Sequence, residues 1–179
     1  MLGRLNPTTG ELKEIETEPR PYGIKAAKDG TLWIAYNGTN KIGAMHPGTM
    51  AVKYFEIPNE RSRVRRLDLD SQGRVWFVNS TLGKIGRLDP STGAIKQWDS
   101  PSGASSHPYA LAVIDDVIWY NESGMRPDAL VRFNPESESF QSWAIPSGVG
   151  IVRNVWKTEA GNLLIHQSSS NQIGLVKIN

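Results

Sequence analysis

A unit of about 43 residues, repeated through the whole chain, constrains this sequence more than any other feature. Leu32-Trp33-Ile34, Val75-Trp76-Phe77 and Ile118-Trp119-Tyr120 are three copies of one motif, and Leu163-Leu164-Ile165 is a fourth in which Leu replaces Trp. A second marker runs in phase as Lys41-Ile42-Gly43, Lys84-Ile85-Gly86, Ala129-Leu130-Val131 and Gln172-Ile173-Gly174, with Leu2-Gly3 as a truncated earlier copy. A third is a turn, written Asn6-Pro7-Thr8-Thr9-Gly10, His46-Pro47-Gly48-Thr49, Asp89-Pro90-Ser91-Thr92-Gly93 and Asn134-Pro135-Glu136-Ser137. Its Pro presets φ, and the Asn or Asp before it can bond the turn's own backbone. Pro19, Pro58, Pro101 and Pro146 close the units. The markers divide the chain at about 1–18, 19–60, 61–103, 104–148 and 149–179.

Each unit reads as four short strands. In the first complete unit they are Gly23 to Ala27, Thr31 to Tyr36, Lys41 to Met45 and Val52 to Ile57, with a hairpin turn at Asp29-Gly30. Runs such as Leu-Trp-Ile are apolar without alternation, as expected of strands covered on both faces. Four-stranded units of this length predict an all-β chain: a β-propeller of four-stranded antiparallel blades, about four of them, in a single domain over 1–179.

The strand count leaves two arrangements open. The chain starts with the third and fourth strands of a unit and finishes with three strands of another. Either the strand near Glu11 to Ile15 completes the last unit, or the chain is part of a larger propeller, left open or completed by a second copy. An open blade face exposes apolar surface and predicts association, for instance as a homodimer.

Composition removes several function classes. There is no Cys, which excludes disulfides, thiolate catalysis and Cys-ligated zinc. A net charge of +2 is too small to predict nucleic acid or an anionic membrane as partner. No run approaches the roughly 18 apolar residues of a membrane span. Met1 to Pro7 lacks the apolar stretch of a signal peptide, so a soluble protein is expected, its compartment unassigned.

Pro21-Tyr22-Gly23-Ile24, Asp29-Gly30, Leu32-Trp33-Ile34, Asn40-Lys41-Ile42-Gly43 and Lys84-Ile85-Gly86-Arg87-Leu88-Asp89-Pro90-Ser91-Thr92-Gly93 resemble the repeat text of the streptogramin (virginiamycin B) lyase family. The resemblance covers nearly the whole chain, though family members typically carry about seven blades. It implies ring-opening elimination on a cyclic depsipeptide lactone, with Mg2+ bound and no organic cofactor. It further implies a His base from a Pro-His-Gly-Ile-like segment and a metal-holding Glu just after the Trp strand. Glu122 matches that Glu, while the matching first-strand position in the same unit is Tyr109.

A hairpin sets the start of its first strand beside the end of its second, so two rings of residues are predicted at one channel mouth. The leading ring is Tyr22, Arg65, Tyr109 and Arg153; the trailing ring is Tyr36, Asn79, Glu122 and Gln167. None of the leading four is His, and Tyr109 can serve as a base only if nearby arginines lower its ordinary value near 10. His107, next to Pro108, is the alternative base. His46 takes the turn slot, and His166 lies on a strand end. Arg61, Arg63, Arg65 and Arg66 form either a solvated connection or, with Arg153, a clamp for a carboxylate or phosphate. The loop Asn121 to Asp128 is longer than its counterparts.

Two functions follow. One is a lyase-like enzyme with catalytic residues drawn from His107, Tyr109 and Glu122, the last on Mg2+. The other is a non-catalytic propeller binding an anionic small molecule, a peptide or a partner domain through Arg65, Arg153 and Tyr109. A lactonase needs more acidic or amide ligands than Glu122, Asn79 and Asn121 supply.

Overall fold

The computed structural model describes residues 1–146 and 151–178, so the predicted unit boundary at 148 and 149 lies outside the described residues. The chain is an all-β propeller. Strands β1 (Leu2–Leu5) and β2 (Leu12–Ile15) form an N-terminal hairpin. Blade 1 follows as β3 (Pro21–Ala26), β4 (Leu32–Tyr36), β5 (Lys41–Met45) and β6 (Val52–Glu56). Blade 2 is β7 (Val64–Leu69), β8 (Val75–Asn79), β9 (Lys84–Leu88) and β10 (Ile95–Asp99). Blade 3 is β11 (Pro108–Ile114), β12 (Val117–Glu122), β13 (Ala129–Asn134) and β14 (Ser139–Ala144). Blade 4 has three strands, β15 (Val152–Lys157), β16 (Leu163–Gln167) and β17 (Gln172–Val176). Among the described residues a 3-10 turn at Gly103–Ser106 is the sole helical element, and no helix is long and apolar enough to cross a membrane.

Every sheet is an antiparallel meander in chain order. The arrangement in which the Glu11 to Ile15 strand completes the last blade is therefore corrected: β2 pairs with β1, and β17 pairs with β16. The hairpin instead lies against blade 1, where Leu2 and Ile15 pack on Ile34, Tyr36 and Met45.

The repeated motifs have direct packing reasons. Along Leu-Trp-Ile, successive side chains point to opposite faces, and each face meets a different neighbouring blade. Trp33 joins the cluster shared with blade 2, Trp76 that shared with blade 3, and Trp119 that shared with blade 4. Phe77 and Tyr120, one residue later, pack back onto the preceding blade. The Gly of Lys-Ile-Gly makes room for these rings. A Cβ on Gly86 would lie 2.2 Å from the Phe77 ring, and one on Gly43 2.9 Å from the Tyr36 ring. The turn also forms as its chemistry requires: Asn6, Asp89 and Asn134 accept backbone N–H groups two residues on, and His46 does so through Nδ1.

The first strands of successive blades, β3, β7, β11 and β15, pack in sequence around a central channel of about 380 Å³ lined by Ile24, Arg66, Leu111 and Trp156. Asp68 ties three of them together. It accepts the Val113 N–H from β11 at 3.0 Å and pairs with Lys25 of β3 at 2.7 Å. Blade 4 leaves Trp156, Ile173 and Leu175 half-exposed or more. A larger cavity of about 780 Å³, lined by Trp119, Trp143 and Leu175, lies between blades 3 and 4, away from the channel.

Candidate functional site

A backbone irregularity recurs at one end of the channel. Every innermost strand slips register there: between Pro21 and Gly23, Val64 and Leu67, Pro108 and Leu111, and Val152 and Asn154. A β-bulge leaves a residue outside the ladder and re-aims its side chain. The residues so released include Tyr22, Arg65 with Arg66, Tyr109, and Arg153. The predicted leading ring thus lies within the set of bulged residues, which also takes in Arg66 and Ala110.

These side chains converge. The Tyr22 and Tyr109 hydroxyls share a short hydrogen bond between blades 1 and 3. The Arg65 guanidinium lies 4.4 Å from the Tyr109 ring centroid, Arg66 4.8 Å from that of Tyr22, and Arg153 5.8 Å from that of Tyr109. Such spacings are attractive through the ring quadrupoles. Arg153 Nη1 is 3.5 Å from the Tyr109 hydroxyl, and Arg66 Nε donates to the Arg153 carbonyl at 3.4 Å. Serine hydroxyls brace two of the arginines, Ser80 holding Arg65 Nε at 3.2 Å and Ser168 holding Arg153 Nε at 3.0 Å. Among the described residues no carboxylate pairs with Arg65, Arg66 or Arg153. The mouth is a concentrated, uncompensated positive site around two phenols.

The charges act on the two phenols unequally. Burial opposes ionisation of Tyr22, but the hydrogen bond from Tyr109 and the fields of Arg66, Arg65 and Arg153 outweigh it and hold Tyr22 below the ordinary tyrosine value. Tyr109 is pushed up, first by burial and then by its bond to Tyr22, with Arg65 and Arg153 offsetting only part. The two phenols therefore titrate as a pair, one proton leaving more readily than the second. Tyr22 is 38% exposed and Tyr109 5%, so Tyr22 is the ring of the pair that solvent reaches.

The trailing ring occupies a different environment. Tyr36, Asn79, Glu122 and Gln167 sit opposite Pro21, Val64, Pro108 and Val152 in the ladder, yet all four are buried. Asn79 accepts the Arg63 N–H and donates to Ser62 Oγ at 2.8 Å. Glu122 accepts from Ser100 Oγ at 2.6 Å, from Ser102 Oγ at 2.5 Å and from the Ser102 N–H at 3.1 Å. Gln167 accepts from Ser170 Oγ at 3.3 Å. Asn79 and Glu122 thus brace the connections that enter blades 2 and 3.

The fit of Mg2+ to Glu122 can be judged from its donors. Mg2+ requires an octahedral shell of oxygen lone pairs, whereas both Glu122 oxygens face O–H and N–H hydrogens. Among the described residues no three His, Asp or Glu side chains gather in a cation site. The residues here do not fit the ion.

His107 stands in left-handed backbone at φ 43°, and its Nδ1 meets the Ser80 carbonyl at 3.1 Å. Ser80 thus links His107 to Arg65, one residue removed from the tyrosine pair. His166 packs near Trp156, 6.3 Å between rings. Arg61 and Arg63 are exposed, so the predicted four-arginine cluster resolves into two mouth residues and two surface residues. Sequence reasoning placed Arg66 in that cluster but not in the ring; the doubled Arg65-Arg66 opposite the single Val78 is the trace of a bulge.

The sequence family described as the virginiamycin B lyase family matches residues 8–179. Among solved structures, a catalytically inactive histidine-to-alanine variant of virginiamycin B lyase from Staphylococcus aureus, with quinupristin, superposes with a TM-score of 0.86 at 25% identity. The match covers 99% of this chain and 59% of that one. A protein assigned as a 6-phosphogluconolactonase from Bacteroides uniformis gives a TM-score of 0.72 at 18% identity, over 99% of this chain and 60% of that chain. YCF48 bound to D1 peptide gives 0.73 at 15%, over 96% and 55%. The latter two likenesses concern the fold alone. No curated protein matches. This chain spans about three fifths of the length of the lyase and lactonase structures.

Proposed function

The chain belongs to the virginiamycin B lyase family, and from that premise we propose that its channel mouth binds a carboxylate-bearing ligand through Arg65, Arg66 and Arg153, with Tyr22 and Tyr109 as the apolar and hydrogen-bonding wall. The observation that carries this reading is the convergence of three guanidinium groups with no carboxylate partner among the described residues. Arginine forks match carboxylate geometry and lose less hydration than ammonium groups on binding. The test is calorimetric titration of a short apolar peptide with a free C-terminal carboxylate, beside its C-terminal amide. The free acid is expected to bind with an affinity that falls as salt rises, and Arg153→Ala to weaken it roughly tenfold or more, since a hydrogen bond to a charged group contributes about 1.5–3 kcal/mol. Equal binding of acid and amide, or indifference to Arg153→Ala, refutes it.

A second reading is the family's chemistry, elimination that opens a lactone. The ionisation bias of Tyr22 favours it, because a phenolate beside guanidinium groups is a base next to groups able to stabilise an enolate. Quinupristin incubated with the protein, with and without Mg2+, separates the cases by mass. A product of unchanged mass and new retention supports elimination; a gain of one water indicates hydrolysis; untouched antibiotic leaves the binding reading alone.

A further inference from the structure

We propose that the mouth and the channel behind it form a single amphiphilic site, whose ligand is a monocarboxylate with an aliphatic tail. The carboxylate lies among Arg65, Arg66 and Arg153, and the tail runs inward along Ile24 and Trp156. The assignment rests on the reading of the mouth as a carboxylate site and adds the chemistry of the rest of the ligand.

The register of the innermost strands divides the channel into steps. Just inside the bulges, Ile24, Leu67, Leu111 and Val155 hold the same place, each opposite the residue that follows the Trp position of its blade. All four line the channel, so an apolar waist lies directly behind the arginines. Leu67, Leu111 and Val155 are buried in the clusters between blades, whereas Ile24 is 57% exposed. Trp156, one step further in, is 50% exposed and lines the same channel. Both leave apolar surface facing water, and covering it is favourable.

Charge fixes the direction of the ligand. Further along the channel Lys25 pairs with Asp68 at 2.7 Å and Lys157 with Asp115 at 3.1 Å. At the mouth Arg65, Arg66 and Arg153 have no carboxylate partner among the described residues. Unmatched positive charge therefore stands at one end only, and it draws a carboxylate there while the tail points down the channel. Two of these arginines are held in advance. Ser80 and Ser168 fix Nε of Arg65 and Arg153, which leaves terminal nitrogens to meet the ligand and lowers the ordering cost of binding. The channel volume of about 380 Å³ is at the small end for ligand sites and suits one extended chain rather than a bulky ring system.

The test is calorimetric titration of butanoate, hexanoate, octanoate and decanoate, each below its micelle concentration, beside the primary alcohols of equal length. Affinity for the acids is expected to rise roughly three- to fourfold for each methylene the channel takes up, and each acid to bind more tightly than its alcohol. Ile24→Ser and Trp156→Ala, both checked for fold by circular dichroism, are expected to flatten the gain with length while acid stays preferred over alcohol. Acids that bind equally whatever their length, yet still better than alcohols and still weakened by Arg153→Ala, overturn the tail assignment and leave the mouth reading standing. A gain with length that neither substitution reduces also overturns it, since the tail then lies elsewhere, as in the cavity between blades 3 and 4. Alcohols that bind as tightly as the acids refute the mouth reading, and the inference falls with it; a series with no binding does the same.

Discussion

Replacing Asp68 tests how the channel is held open for the mouth. Its carboxylate is nearly buried and serves two partners from different blades, the Val113 N–H at 3.0 Å and Lys25 at 2.7 Å. The two contributions are separable. Asp68→Ala leaves a backbone donor on the innermost edge of β11 without its acceptor, at about 1–3 kcal/mol. It also deletes an ion pair whose lysine is half-exposed, at no more than about 1 kcal/mol. The total expected is about 1–4 kcal/mol, which for a chain of this length lowers Tm by roughly 2–16 °C. Asp68→Asn keeps an oxygen for Val113 and Lys25→Met keeps the carboxylate, so each is expected to lose less than about 1 kcal/mol. Urea unfolding of the three variants supplies the comparison. Should Lys25→Met cost as much as Asp68→Ala, the ion pair carries the effect and the hydrogen-bond argument is wrong.

Further outcomes follow from other parts of the molecule. Gly86→Ala is expected to destabilise by about 1–3 kcal/mol, because its Cβ would overlap the fully buried Phe77 ring; a thermal melt unchanged by the substitution refutes that account of the Lys-Ile-Gly motif. Glu122→Gln puts an amide against Ser100 and Ser102 and is expected to lower stability by about 1–3 kcal/mol. Mg2+ is expected to leave the melting of wild type and of this variant unmoved, and a Mg2+-induced rise in wild type alone would restore Glu122 as a metal ligand. Burial pushes Tyr36 up to about 12 and Tyr120 higher still, so above about pH 10 the unfolded chain loses protons that the folded chain retains. Stability is therefore expected to fall as pH rises from about 10 towards 12, less steeply in a folded Tyr120→Phe variant; an identical slope in that variant counts against the assignment.

The architecture was legible because its signals are local and recur. Lys41 to Met45 was read with the boundaries that β5 has, and the Trp of each unit was placed in the core where Trp33, Trp76 and Trp119 lie. Part of the geometry at the mouth was legible. Tyr22, Arg65, Tyr109 and Arg153, expected where each first strand starts, lie at the bulges of β3, β7, β11 and β15, and their side chains converge. Tyr36, Asn79, Glu122 and Gln167 were assigned to the mouth from ladder adjacency alone. Each ends the second strand of its blade, and Val75–Asn79 is buried at all five positions. A polar residue closing such a strand turns to a partner in an adjoining connection, as Asn79 does to Ser62 and Glu122 to Ser102. That choice depends on how neighbouring blades sit, which no single repeat encodes. The same holds for β2: its pattern suits a blade's outer strand anywhere, and Leu2 and Ile15 pack on blade 1 rather than on the last blade.

The recurring bulge separates what the molecule is from what it touches. Tyr22, Arg65, Tyr109 and Arg153 are each skipped by the ladder, so their side chains can be exchanged with little demand on strand pairing. Packing is carried instead by Trp33, Trp76, Trp119 and their neighbours, which hold no place at the mouth. Chemistry and architecture therefore drift under separate constraints. A descendant of this chain can trade its arginines for carboxylates, or a tyrosine for an imidazole, and present a new recognition code on an unaltered frame. Randomising those four positions together amounts to a library of mouths, in which folding is the shared background and ligand choice the variable.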